Sequence, residues 1–232
     1  MMKYNMKTIY HVSDTHMNHE KLIIPQDIDI MIHSGDMGNY RNPYNCEVEI
    51  RNFIEWYSKV NIPHKICIAG NHDTAIEKGL VKKKDFEDAG IIYLENEMVT
   101  IEGINIYGSP ATPRFGDWAF MYDRGKIYKI WDKIPDTTDI LVTHGPGKGT
   151  LDLSTNRLGQ LEYCGCSNLL KQIRDRIKPK FHLFGHIHDS RETMNSGMCK
   201  YNNIPDTTFS NGSVVTDGKI GTLTSNGNIF KI

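Results

Sequence analysis

The sequence predicts an α/β fold in which two packed mixed sheets are flanked by helices. Three observations carry this expectation. Short apolar runs rich in Ile, Val and Leu recur along the chain, amphipathic helical stretches lie between several of them, and the tail consists of short β segments and Gly/Asn turns. With 232 residues, 39% of them apolar, the chain can bury a sizeable core and is expected to form one domain over residues 1–232.

The elements follow in order. "TIYHV" reads as the first strand, and "IDIMIHSGD" (28–36), "HKICIAGNHD" (64–73), "DILVTHGPG" (139–147) and "FHLFGHIHD" (181–189) read as further strands. Their continuous apolar character suits strands covered on both faces. Residues 47–60 place Ile50, Phe53, Ile54 and Tyr57 on one helical face, and residues 123–134 do the same with Ile127, Ile130, Trp131 and Ile134. Residues 167–177 read as a helix capped by Ser167 and carrying Leu169, Leu170, Ile173 and Ile177. "MVTIEGINIYG" reads as two strands around a tight Glu-Gly turn. The tail from "TTFSNGSVV" to "GNIFKI" reads as short strands and turns.

Composition narrows the function classes. The formal charge of −1 leaves no global basic field for a nucleic acid backbone, and "KGLVKKKD" reads as a solvated helix start. The five cysteines form no disulfide framework, and Cys164-Gly-Cys166 has no second pair to complete a thiolate zinc site, so reduced structural thiols are expected. No segment approaches the roughly 20 apolar residues of a membrane span. The opening "MMKYNMKTIYHVSD" has no signal-like apolar stretch. The expectation is a soluble cytoplasmic protein.

Polar residues collect where the apolar runs end: Asp14 and His16, then Asp36, Asn71 with His72, His144, and finally His186 and His188. An Asp-x-His pair alone is as compatible with a polar turn as with a ligand pair. Each member of this set follows a strand, however, and in such sheets the carboxyl ends of the strands converge on one crevice. Oxygen and imidazole donors without thiolate suit Mn²⁺, Fe or Zn²⁺ better than Ca²⁺. Seven donors are too many for one tetrahedral ion and match two ions roughly 3.5–4 Å apart that share a carboxylate.

The ordered set "DTH", "GD", "GNHD", "TH" and "GHIH" resembles the calcineurin-like metallophosphoesterases, whose motifs occur in this order across Asp14 to His188. "GSPATPRFGDWAF", "DILVTHGPGKG" and the strand-"SNGS" return look like the brain-type metallophosphoesterase-domain (MPPED) group and its microbial relatives. The resemblance implies a four-layer α-β-β-α sandwich and hydrolysis of phosphodiesters, cyclic nucleotides among them. It implies that Asp14, His16 and His188 hold one ion, that Asp36 bridges, and that Asn71, His144 and His186 hold the second. A water or hydroxide between the two divalent ions would be the nucleophile. His72 would be the general acid for the leaving oxygen, oriented by Asp73. Some animal members of the group carry Gly in place of the first His of G-H-x-H, and this chain keeps His186. One departure is "GDMGNY", where the group more often has Thr or Asp after G-D.

Other residues have competing readings. His11, His33, His64 and His182 lie in or beside strands and read as structural hydrogen-bonding groups. His19 reads as a loop residue close to the site. Trp118 and Phe120 read either as a stacking platform for a base or as local core. Arg114 reads as a phosphate contact or a solvated charge, and Asn211 as a turn that abuts the site; with Trp118 these are the candidate substrate contacts. The resulting expectation is a dinuclear hydrolase of small phosphodiesters, cyclic nucleotides first, with no membrane and no long nucleic acid as partner. A phosphomonoesterase, a nuclease and a low-turnover nucleotide-binding module are the alternatives.

Overall fold

A computed structural model describes residues 6–156, 158–216 and 222–232. The first half runs β1 (Thr8–Val12), β2 (Ile30–His33), α1 (Pro43–Lys59), β3 (His64–Cys67), α2 (Thr74–Glu77), α3 (Lys83–Asp88) and β4 (Ile92–Tyr93). The hairpin β5 (Glu97–Ile101) and β6 (Ile104–Ser109) follows. Next come a small pair, β7 (Thr112–Pro113) and β8 (Met121–Tyr122), then α4 (Tyr128–Trp131) and β9 (Ile140–Thr143). The second half adds the hairpin β10 (Leu153–Thr155) and β11 (Leu161–Tyr163), α5 (Ser167–Gln172), β12 (Phe181–Phe184), β13 (Gly197–Tyr201), β14 (Ile204–Asn211) and β15 (Asn228–Lys231).

One sheet has the order β15-β1-β2-β3-β4, parallel except for β15. The other has the order β13-β14-β12-β9-β6-β5, with a parallel centre and antiparallel edges. The apolar runs are continuous because alternate residues serve different layers. Ile9, Ile30, Ile32 and Ile66 of the first sheet pack against Ile106, Ile140, Val142 and Leu183 of the second. Tyr10, Val12, Met31 and Cys67 point the other way, under Ile50, Phe53, Ile54 and Tyr57 of α1. Leu141, Phe184 and Phe209 face Ile127, Trp131, Leu169 and Ile173 on the far side of the second sheet. The layers are therefore α-β-β-α, as the resemblance implied.

Local chemistry shifts several boundaries. Helix α1 begins at Pro43, ahead of residue 47, because Pro suits its first turn and the Asn42 side chain accepts the Tyr44 and Asn45 N–H groups. The expected helix over 123–134 narrows to α4 within a run of turns. Ser167 does not cap α5. Cys166 occupies that position, and a π-turn (Ile173–Ile177) closes the segment at Lys178, whose φ is 49°. The Glu102-Gly103 turn forms as expected, with both residues at positive φ. All five thiols are free, and Cys166 Sγ accepts the Trp131 indole N–H at 3.4 Å. Lys83 and Lys84 are paired with Glu97 and Asp88, in line with a solvated helix start. Part of the expected tail pattern, residues 217–221, lies outside the described residues. No helix among the described residues is long and apolar enough to cross a membrane.

Candidate metal centre

The carboxyl ends of β1, β2, β3, β9 and β12 meet at one rim, and the loops that follow hydrogen-bond to each other. Asp14 N–H donates to Gly35 O, Ser13 N–H to Gly212 O, and Gly185 N–H to His144 O, each at 2.8–2.9 Å. Three clusters of ligand-type groups result: Asp14, His16 and His188; Asp36, His144 and His186; and His16, Asp36 and His72. Within each cluster the donor atoms lie within 4.8 Å of one another. Asn71 joins the second cluster, its Oδ1 standing 2.9 Å from His144 Nε2. Side chains dispersed from Asp14 to His188 are thus brought into one pocket.

The backbone at this rim is contorted. Asp14, His16, Met17, Asp36 and His186 all have φ between 40° and 68°, a region that side chains other than Gly enter only at a cost. The motif glycines explain how the loops come so close. A Cβ on Gly70 would collide with Asp36 and lie 2.6 Å from His144 Cε1, and one on Gly185 would collide with Asp14 Oδ2 and Ser13 Oγ.

The donor geometry fits cations. His16 Nδ1–H donates to Gly38 O at 3.0 Å, and His144 Nδ1–H donates to Ser34 O at 2.9 Å. Each ring is left to present Nε2 to Asp36 Oδ2, at 3.8 Å from His16 and 3.4 Å from His144. His16 Nε2 is buried and has no hydrogen-bond partner. A lone pair aimed at a buried carboxylate is satisfied only by a proton or a cation between them. Asp14 is poised similarly: its Oδ2 accepts His186 N–H at 2.9 Å while Oδ1 lies 3.1 Å from His188 Nε2. Burial works against ionisation of both carboxylates, but the surrounding imidazoles hold Asp14 and Asp36 below the usual carboxylate range.

Asp73 does not touch the His72 ring, so the expected orienting contact is corrected. Its carboxylate accepts four backbone N–H groups instead: Asp36 and Gly70 at Oδ2, Met37 and Gly38 at Oδ1, over 2.6–3.0 Å. It thereby clamps the "GDMG" and "GNHD" turns together. This contact uses the Met37 backbone and is indifferent to the side chain that departs from the group's habit. His72 is oriented by Asn39 O, 3.2 Å from its Nδ1, and its backbone N–H donates to Asp36 Oδ1 at 2.7 Å. Trp118 lies over the His72 ring at 4.4 Å and 31°, with the Arg41 guanidinium 5.0 Å from the indole. The Trp118 ring already covers His72, which explains its position without a base.

Three other readings are corrected. Arg114 is occupied within its own loop by Asp123, Gly116 O and Met121 O. Asn211 is fully buried, donates to Ile187 O and accepts Ser213 N–H, so it braces the "GHIH" turn. His19 is also fully buried, bonded to Asn52 of α1 and packed on Trp56, out of a substrate's reach. Phe120 belongs to the core. Sequence reasoning missed Phe115, which is half-exposed with its ring 5.0 Å from that of His186. Its signal was visible in "RFGDW", an aromatic residue set between loop formers.

The buried histidines behind the rim give the metal-free protein a defined pH dependence. His11 bridges the sheets between Ser210 and Ser34, while His33 and His182 bond to Thr15 and Thr143. Burial pushes all three, and His186, down to about 3. Between pH 6.5 and 3 the unfolded chain binds protons there that the folded chain refuses, so stability falls as pH falls. Asp73, pushed up to about 7 by burial and the neighbouring Asp36, offsets one of the four. The net loss is up to about 4 kcal/mol per pH unit. His144 has the opposite sign: burial opposes its charge, yet Asp36 and Asp14 bring it up to about 9, and its contribution is lost as pH rises from 6.5 toward 9. Chelator-treated protein should therefore be most stable near pH 6.5. Urea midpoints from pH 4.5 to 9 check this, and a midpoint unchanged between pH 6.5 and 5 would contradict it.

Residues 7–190 match the calcineurin-like phosphoesterase family model. The chain belongs to the calcineurin-like phosphoesterase family. Within that family it is 33% identical over 228 residues to human metallophosphoesterase domain-containing protein 1, covering 88% of this chain and 65% of that relative. A UPF0046 protein of Caenorhabditis elegans is also 33% identical, over 88% of this chain and 73% of its own length. The DNA double-strand break repair protein Mre11 of Saccharolobus solfataricus is a more distant match, 29% identical over 131 residues and 47% of this chain. The chain thus spans slightly under two thirds of the human relative, and its similarity to that protein agrees with the MPPED-type group expected from the sequence.

Proposed function

We propose that this member of the family is a dinuclear metal-dependent hydrolase of small phosphodiesters, with cyclic nucleotides as first candidates. The observation that carries the reading is the pair of imidazoles, His16 and His144, each tethered through Nδ1 and facing the shared Asp36 carboxylate through Nε2. Asp14, His16 and His188 would hold one ion, Asn71, His144 and His186 the other, and Asp36 both. Two ions supply Lewis acidity that activates water and neutralises phosphoryl oxygens. Mn²⁺, Fe and Zn²⁺ all suit the donor set.

The chain's own residues do the rest. Asp73 fixes the loops that carry Asp36 and Asn71. His72, tethered through Nδ1, keeps Nε2 for delivering a proton to the leaving oxygen. Diesters are favoured over monoesters because an open groove beside His186 leaves room for the second ester group. The charge of −1 argues against long polyanions.

Metal-loaded protein should hydrolyse bis(p-nitrophenyl) phosphate faster than p-nitrophenyl phosphate, and EDTA should remove the activity. A reversed order would make it a monoesterase, and nucleotide binding without turnover would make it a sensing module. His72→Asn should slow diesters with alkyl leaving groups by about 10²-fold and p-nitrophenyl esters far less, because only a basic leaving oxygen needs the proton. Equal losses across leaving groups would remove His72 from that role.

A further inference from the structure

The groove that opens off His186 has a volume of about 500 Å³, enough for a nucleoside-sized group. The half-exposed rings of Phe115 and Tyr163 line it, and Phe115 tilts over His186 at 49°. Lys148, Arg124 and Glu162 also line it. Arg124 donates to Gly165 O and Cys164 O, which fixes the guanidinium in place without neutralising it. Lys148 is exposed, and its ammonium interacts electrostatically with the buried Asp152 carboxylate. Two cations thus line the groove beside one lining carboxylate, Glu162, while the buried Asp152 behind Lys148 is held by the Gly149 and Gly165 N–H groups.

A diester with one phosphate spends its negative charge at the metal centre and leaves these cations unused. We infer that the groove selects diesters whose organic arm carries a second phosphate: an aromatic, nucleoside-sized group lies along Phe115 and Tyr163, and its distal phosphate meets Lys148 and Arg124. This rests on the reading of the centre as a diesterase and moves the preferred substrate from cyclic mononucleotides to diesters with a second phosphate. Cations matched to a phosphate add charge-assisted hydrogen bonds, and they act through binding because they lie away from the bond that breaks.

The test compares thymidine 5′-(p-nitrophenyl phosphate) with its 3′-phosphate on the Mn²⁺-loaded full chain, following nitrophenolate. Both share one scissile bond and one leaving group. The 3′-phosphate should give a kcat/KM about tenfold higher, carried by KM. Lys148→Ala should bring the ratio near one, Lys148→Glu should invert it, and added KCl should shrink it. Equal KM values in the unmodified protein, or a preference that survives both substitutions, would overturn the inference. So would hydrolysis of bis(p-nitrophenyl) phosphate with neither nucleoside ester accepted. Failure to hydrolyse any diester would instead overturn the underlying function.

Discussion

Asp36→Ala should abolish turnover of bis(p-nitrophenyl) phosphate, with kcat/KM falling by about 10³-fold or more. Asp36 is 2% exposed, and its carboxylate shares ligand clusters with four imidazoles, those of His16, His72, His144 and His186. Its loss removes the oxygen common to both ligand sets, along with the acceptor for His72 N–H. Metal analysis separates this from misfolding. The variant should keep its far-ultraviolet circular dichroism and bind less than half the metal of the unmodified protein. Substantial activity at full metal content would count against a shared carboxylate.

Gly185→Ala should have an effect of similar size without replacing any ligand residue. The added methyl has no free space, because Asp14 Oδ2 and Ser13 Oγ already stand where it would go. Asp14 and Ser13 must both move, and at about 10–100-fold in metal affinity for each displaced group the combined loss is about 10³-fold. Gly125→Ala is the control, since nothing lies within 4 Å of its added Cβ and its φ is not positive. Metal titration of the two variants checks the contrast, and equal affinities would show that the rim relaxes freely.

Much of this was legible in the sequence, for identifiable reasons. Continuous Ile-rich runs betray strands covered on both faces, and a polar residue after each run betrays the end at which a crevice forms. The ligand set was readable because it uses residue types rarely placed together by packing alone. Partnerships were not readable. Nothing in "GNHD" says that Asp73 turns toward four backbone N–H groups and away from the neighbouring imidazole, because that depends on a fold-back of "GDMG" from far along the chain. Arg114 and Asn211 were misread likewise: each is polar and adjacent to the rim, yet its hydrogen-bonding capacity is consumed locally. The groove was hidden because Phe115, Arg124, Lys148 and Tyr163 come from four separate loops and hairpins.

The left-handed turn at His186 has an evolutionary consequence. An imidazole-bearing residue there, at φ 68°, is held against its own conformational preference by about 1 kcal/mol, and glycine would feel no such penalty. Swapping that histidine for glycine would remove one donor from the Asp36, His144 and His186 cluster while easing the turn. The turn itself thus favours glycine at this codon, and on the proposed function it is turnover that requires the histidine.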